Sequence, residues 1–298
     1  MCGKTFGKSK AKGEKHRRYF RLFTKWVMTG VSVEELIDIA DIELSSKQLT
    51  RYFHKFLNYP VEFKRLDKPK EINLKCDAKH FGRYGCTMVF KEGVNIIFWF
   101  YAENENYFNY RYCFSRLQEL GYIVKSTTSD KHGSLVSAVR TAYPDIPHQF
   151  CLVHLQRRCQ TLLTQKPETE AGQDLLKLVH NINEIKTHGD KKIFLNWFNR
   201  IWKRHEQTIN HRTYNKDKSV EKKWWYTHKN LRLAFYTIRN SLDNMFFYLD
   251  DKSIPKDTNG LEAEFTHLKT KLNMHRGLSR KRRENFVSWY WHLKSKGY

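Results

Sequence analysis

Three acids in the 298-residue sequence stand where a carboxylate could work on a phosphodiester. Asp77 closes an alternating run, Ile72, Leu74 and Cys76 against Asn73, Lys75 and Asp77, that reads as a half-buried strand ending at an acid. Asp130 follows a later strand-like run, Tyr122 to Thr128, and Glu262 lies beside the apolar face of a helix further on. If the two strands are neighbours, their carboxylates meet at one edge of a sheet, where the glutamate can join them. Hard divalent cations take clustered oxygen ligands, and two ions about 3.5 to 4 Å apart activate a water or hydroxyl and stabilise the leaving oxygen of an in-line displacement. Each acid taken singly is more simply a cap or turn residue, so the inference rests on the joint arrangement. It makes Asp77, Asp130 and Glu262 the expected catalytic residues and ligands, holding Mg²⁺ or Mn²⁺ as two ions.

The elements that would position these acids follow from periodicity. A helix carrying Phe20, Phe23 and Val27 comes first, and a second is capped by Ser32 with Glu35 three residues on. A third starts at Ser45-Ser46 and puts Leu49, Tyr52, Phe53 and Phe56 on one face. The short connection from Ala40 to Leu44 makes these a helix-turn-helix, with Gln48, Arg51 and Lys55 facing DNA, or else an ordinary three-helix packing unit. From Glu71 the order reads β-β-β-α-β-α-β: a meander through Gly85–Phe90 and Val94–Tyr101, a helix ending at Gly121, then strands and helices to Val153. That order gives an α/β mixed sheet covered on both faces. Beyond His154 the strands are expected to stop. Phe194, Trp197, Phe198, Ile201 and Trp202 keep helical spacing and read as core, and a helix near Thr258 buries Leu261, Phe265, Leu268 and Leu272. Lys269, seven residues after Glu262, and Arg276 beyond it are the expected phosphate contacts beside the glutamate.

At the acids the chain resembles a known family. Asp77-Ala78-Lys79-His80-Phe81-Gly82-Arg83 is similar to the first acidic motif of Mutator-type DDE transposases, the insertion-sequence enzymes and their relatives. Ser129-Asp130-Lys131-His132-Gly133-Ser134, followed by Pro144, Gln149, Cys151 and His154, resembles their second block, and Thr258-Asn259-Gly260-Leu261-Glu262 with His275-Arg276-Gly277-Leu278-Ser279 resembles the third. The resemblance implies a ribonuclease-H-like core with an all-helical insertion before the last catalytic helix. It places Cys151 and His154 in the packing behind the site, since two ligands fall short of the four of a closed zinc site. Cys2-Gly3-Lys4-Thr5-Phe6 resembles the tail of a zinc ribbon whose other cysteines are missing, which argues against zinc. The expected division is a basic tail over 1–15, a helix-turn-helix domain over 16–66, the first part of the core over 67–154, the insertion over 155–255, and the catalytic helix with a basic segment over 256–298.

Charge points the same way. Fifty-four Lys and Arg against 31 Asp and Glu leave +23, and 40% hydrophobic residues exclude a disordered basic tail. Such an excess suits a polyanion, because each cation set on a phosphate releases counterions. The most apolar run, Val94 to Ala102, is nine residues, against the ~20 that span a bilayer. Six scattered cysteines without a C-x-x-C pair fit reduced thiols and an intracellular place, cytoplasm or nucleoid. The expected activity is that of a DNA transposase acting on double-stranded DNA, both element ends and target, as a homodimer or higher oligomer, without membrane. The alternatives are a transposase-derived DNA-binding protein without catalysis and a nuclease of the same fold.

Overall fold

The computed structural model describes residues 6–217 and 221–298, so Cys2 to Thr5 of the ribbon-like segment lie outside the described residues. Three helices come first: α1 (Phe6–Thr29), α2 (Val33–Ala40) and α3 (Ser46–Leu57). There follow β1 (Lys70–His80), β2 (Cys86–Glu92), β3 (Asn95–Ala102), α4 (Tyr107–Glu119), β4 (Tyr122–Ser129), α5 (Gly133–Ala142) and β5 (His148–Phe150). Next are α6 (Leu152–Leu163), α7 (Glu170–His180), α8 (His188–Asn210), β6 (Arg212–Tyr214), β7 (Trp224–Tyr226), α9 (Lys229–Arg239) and α10 (Phe247–Asp250). Two helices, α11 (Asn259–Met274) and α12 (Arg280–Ser295), complete the described chain. The α/β order expected between residues 70 and 150 is present. Its five strands form one sheet in the order β3-β2-β1-β4-β5, mixed because β2 and β3 are antiparallel whereas β4 and β5 are parallel.

The chain folds as two compact units whose segments interleave. One holds the residues up to Lys70, Asp77–Tyr122 and Gly260–Tyr298; the other holds Glu71–Cys76 and Ile123–Asn259. In the first unit the β2–β3 hairpin turns at Gly93, whose φ of 56° favours a residue without Cβ. The register slips between Phe90 and Lys91, a bulge that re-aims Lys91. The core of this unit joins Phe23, Trp26 and Val27 of α1, Leu49, Phe53 and Phe56 of α3, Trp99 of β3, Leu261, Phe265, Leu268 and Leu272 of α11, and the apolar face of α12. Trp289 stands edge-on to Phe23 at 5.4 Å, and Phe286 edge-on to Trp26 at 5.4 Å. The basic segment expected after the catalytic helix is therefore a core helix. Its Phe286, Val287, Trp289, Tyr290, Trp291 and Leu293 are all buried, while its charges crowd the first turn.

In the second unit, β1 and β4 are adjacent and run the same way. Lys125 pairs with Glu71 at 3.4 Å, Ser126 Oγ donates to Asn73 Oδ1 at 2.7 Å, and Cys76 Sγ lies 4.0 Å from the Thr128 carbonyl oxygen, so the contacts ascend together. The helices from α6 to α10 pack on Phe194, Phe198 and Ile201 of α8 and Phe235 of α9, as the helical stripe implies. The expectation of an all-helical insertion is overturned by β6 and β7, an antiparallel pair with Arg212 opposite Tyr226, Thr213 opposite Trp225 and Tyr214 opposite Trp224. Two β-branched or aromatic residues in β6 and three in β7 suit a ladder, but so short a run carries too little periodicity to stand out beside long helices.

Candidate functional site

Asp77 lies in β1 immediately after the inward-facing Cys76, and it too is buried, at 6% exposure. Its Oδ1 accepts the Ala78 backbone N–H at 2.8 Å. Carboxylates are costly to bury without hydrogen bonds or a cation, so this position is more than a solvated strand end. Glu262 belongs to the same unit and stands in the first turn of α11, half-buried, where the positive end of the helix dipole favours an acid. Near that turn is a cation the sequence reading missed. Lys91, at 5% exposure, brings its Nζ to 3.7 Å from where a Cβ on Gly260 would stand. The motif Lys91-Glu92-Gly93 reads as an exposed turn, and only the bulge turns Lys91 inward.

Asp130 follows β4 in the second unit, half-buried, its Oδ1 accepting the His132 N–H at 3.2 Å where the chain enters α5. The residues around it are fixed. Ser129 Oγ lies 2.8 Å from both the Asp130 carbonyl oxygen and His148 Nε2, an order that works with the Nε2–H tautomer donating to Ser129 and Ser129 donating onward. Burial pushes His148 down to about 4, so it is neutral near pH 7. Lys131 Nζ donates to Ser241 Oγ at 2.9 Å and to the Asn240 carbonyl at 3.0 Å, tying the acidic loop to the C-terminal end of α9. Cys151 and His154 converge on Thr258: the Thr258 N–H reaches Cys151 Sγ at 3.3 Å, and Thr258 Oγ1 lies 3.4 Å from His154 Nδ1. The pair thus holds the residue preceding α11.

Gln48, Arg51 and Lys55 all lie on the exposed face of α3, opposite Leu49, Phe53 and Phe56. Gln48, though, completes a capping box: its Oε1 accepts the Ser45 N–H at 3.0 Å while Ser45 Oγ accepts the Gln48 N–H at 3.3 Å. Arg51 and Lys55 carry no such duty, and Lys55 only lies over the Tyr52 ring at 5.7 Å. Lys269 and Arg276 are exposed, with Arg276 Nε donating to the Asn273 carbonyl at 3.2 Å.

Residues 89–271 match the family described as "Transposase IS66 family". The chain belongs to the IS66 transposase family. That span is more than half of the chain and contains Asp130, Glu262 and the whole helical segment between them, while Asp77 and Arg276 fall outside it. It corrects the Mutator-type resemblance: the chain is an insertion-sequence transposase, but of this family and not of the Mutator type. No curated protein matches the chain.

Among the described residues of the transposase, one grouping of side chains lies close enough together to hold a metal: Glu170 and Asp174 of α7 with His205 of α8. Asp174 already accepts from His205 at 3.0 Å and pairs with Lys177 at 3.5 Å and Arg204 at 3.6 Å, cations that compete with any ion. The His205 hydrogen bond and Lys177 hold its carboxyl below the usual range, as expected of an ion-pair cluster. The thiols of Cys76, Cys86, Cys113, Cys151 and Cys159 are all buried. Among the described residues no helix of the transposase is long and apolar enough to cross a membrane.

Proposed function

We propose that this transposase binds the ends of its mobile element, cleaves a strand there by metal-assisted hydrolysis, and joins the freed 3′-hydroxyl to target DNA, with Asp77, Asp130 and Glu262 as the essential acids. The observation that carries the reading is the placement of Asp130 and Glu262 inside the family-matched span, one directly after a strand and one in the first turn of a helix. The burial of Asp77 beside Cys76, in a strand parallel and adjacent to the one before Asp130, supports adding it to them. The sheet order β3-β2-β1-β4-β5, a meander continued by parallel strands, supports a ribonuclease-H-like core. The turn between α2 and α3, with Asp41 left-handed at φ 45° and Ser45 as the next cap, supports a helix-turn-helix.

The donor set fits Mg²⁺ or Mn²⁺, because three carboxylates offer only hard oxygens and no thiolate is among them. Bound there, such ions would lower the pKa of an attacking water or hydroxyl and neutralise the leaving oxygen. The backbone N–H bonds at Asp77 and Asp130 orient one oxygen of each carboxylate. Cys151 and His154 hold Thr258 and so fix where α11 starts. In this reading Lys269 and Arg276 take phosphates flanking the cleaved bond, and Arg51 and Lys55 take those of the recognised end; the exposure of all four supports it. The test is direct: Asp77→Asn, Asp130→Asn and Glu262→Gln should each abolish Mg²⁺- or Mn²⁺-dependent cleavage while DNA affinity stays within about two-fold, because only oxygen ligands change. Wild-type cleavage by any of the three removes that acid. A wild-type chain that binds element ends but never cuts them favours the non-catalytic DNA-binding alternative, and one that cuts without joining favours the nuclease.

A further inference from the structure

The β6–β7 hairpin carries aromatic residues where water, not core, meets them. Tyr214 is 64% exposed, Trp224 37% and Trp225 41%. Opposition in the ladder puts Tyr214 and Trp224 on one face with Arg212 and Tyr226, and puts Trp225 on the other with Thr213. The first face continues inward as an alternation of cations and rings. The Arg212 guanidinium lies 4.1 Å from the Trp224 ring centre, and that of Arg232 lies 4.0 Å from Tyr226 and 4.3 Å from Tyr236. Arg239 follows at 5.5 Å from Trp202, which stacks on the buried Phe235 at 5.0 Å. A three-residue ladder alone is marginal, so this column is what anchors the hairpin to the core of its unit. Stability requires no aromatic at Tyr214, at the outer end of that column, or at Trp225, on the opposite face, and both rings are exposed.

The surroundings select the partner. Between residues 210 and 232 the sequence has seven Lys or Arg and two acids, so the hairpin suits a polyanion. Inside a duplex both faces of each base are covered by its neighbours, whereas an unpaired base offers a face to an indole. Aromatic residues flanked by cations are the means by which single strands are held without sequence preference. We infer that the β6–β7 hairpin of this transposase binds unpaired DNA, with Trp224, Trp225 and Tyr214 stacking on exposed bases and Arg212, Lys222 and Lys223 taking the adjoining phosphates. The inference rests on the reading of the chain as a DNA-binding transposase and adds a strand-selective contact outside its acids.

The test measures fluorescence anisotropy of the full chain with a labelled oligothymidylate and, separately, a duplex of the same length, at one fixed salt concentration. Changing Trp224 and Trp225 together to Ala should weaken single-strand binding on the order of 10-fold or more, while duplex binding moves within about two-fold. Trp225→Phe, which keeps a ring, should recover part of the loss. Tyr214→Ala, at the most exposed of the three positions, should reproduce the selective loss on a smaller scale and supplies the answer if the double variant melts early. Equal losses on both DNAs, or none on the single strand, overturn the inference. So does a hairpin variant that turns an oligomer into a monomer with both affinities unchanged, which would assign the surface to a second copy. Wild-type protein that binds duplex but not single strand overturns this inference alone; failure to bind either DNA overturns the transposase reading with it.

Discussion

Ser45 and Gln48 occupy the first and last positions of an S-x-x-Q capping box, a pattern visible in the sequence, yet the same spacing also sets Gln48 in line with Arg51 and Lys55 on the exposed face of α3. Geometry assigns the Gln48 oxygen to the backbone, and the consequences separate cleanly. Gln48→Ala should cost about 1 kcal/mol of stability and leave DNA affinity nearly unchanged. Arg51→Ala and Lys55→Ala should leave stability unchanged and each lower the salt dependence of duplex binding by about one released counterion. Thermal melts and affinities over a salt series decide between these patterns, and a salt slope that drops for Gln48→Ala would return it to the DNA contacts. The elements beside Asp130 and Glu262 were legible from their periods, but the strand expected to close at Asp77 runs on to His80, because Ala78 and Lys79 continue the ladder without an alternation that the sequence displays. Lys91 was not legible: a bulge depends on how two strands pair, which a single strand's sequence does not encode.

Helix α12 shows what composition conceals at the scale of an element. Lys and Arg crowd the sequence around its first turn, and its apolar face is legible only when Phe286, Val287, Tyr290 and Leu293 are read at helical spacing. Trp289 packs against Phe20 and Phe23 of α1, so Trp289→Ala should destabilise the first unit by about 3 to 5 kcal/mol, read as an early melting transition. A fragment ending at Lys70 lacks Phe286, Trp289, Leu268 and Leu272, with which α1 and α3 share a core. Such a fragment should show helical signal without a cooperative melt, and a sharp two-state transition would show that the three helices fold alone. The β6–β7 hairpin escaped notice for the opposite reason. Its six ladder residues are too few for a period, and tryptophans beside long helices look like more helical core.

At the scale of the molecule, acid should act in two steps. Burial lowers His148 to about 4, and burial is also the largest cause lowering His54, His275 and His292. An unfolded histidine takes up its proton near pH 6.5, so between that pH and the lowered folded values the unfolded chain binds more protons, and stability falls as pH falls. For His148 alone the loss approaches about 3 kcal/mol near pH 4. His148→Gln, which keeps an N–H for Ser129, should flatten the melting temperature between pH 6.5 and 4. An unchanged slope would clear His148. The second step lies below about pH 4, where Asp174, Asp190 and Asp251, all held below the usual carboxylate range by hydrogen bonds, take up protons. Charge and hydropathy gave the partner class at this scale, but not the interleaving. Composition cuts a chain into consecutive pieces, whereas these units are assembled from segments far apart in sequence.

The core shared by α1, α3 and α12 also sets a timetable. A ribosome adding roughly 5 to 20 residues per second releases α3 many seconds before α12, because more than two hundred residues separate Leu57 from Arg280. Through that interval Phe23, Trp26 and Phe53 lack Phe286 and Trp289, and the nascent helices expose apolar faces of the kind that chaperones bind. A message interrupted between Glu262 and Arg280 therefore yields a chain that carries Asp77, Asp130 and Glu262 but lacks the helix that completes the core of α1 and α3. Protease digestion of ribosome-stalled chains would show α1 to α3 gaining protection only once α12 has emerged.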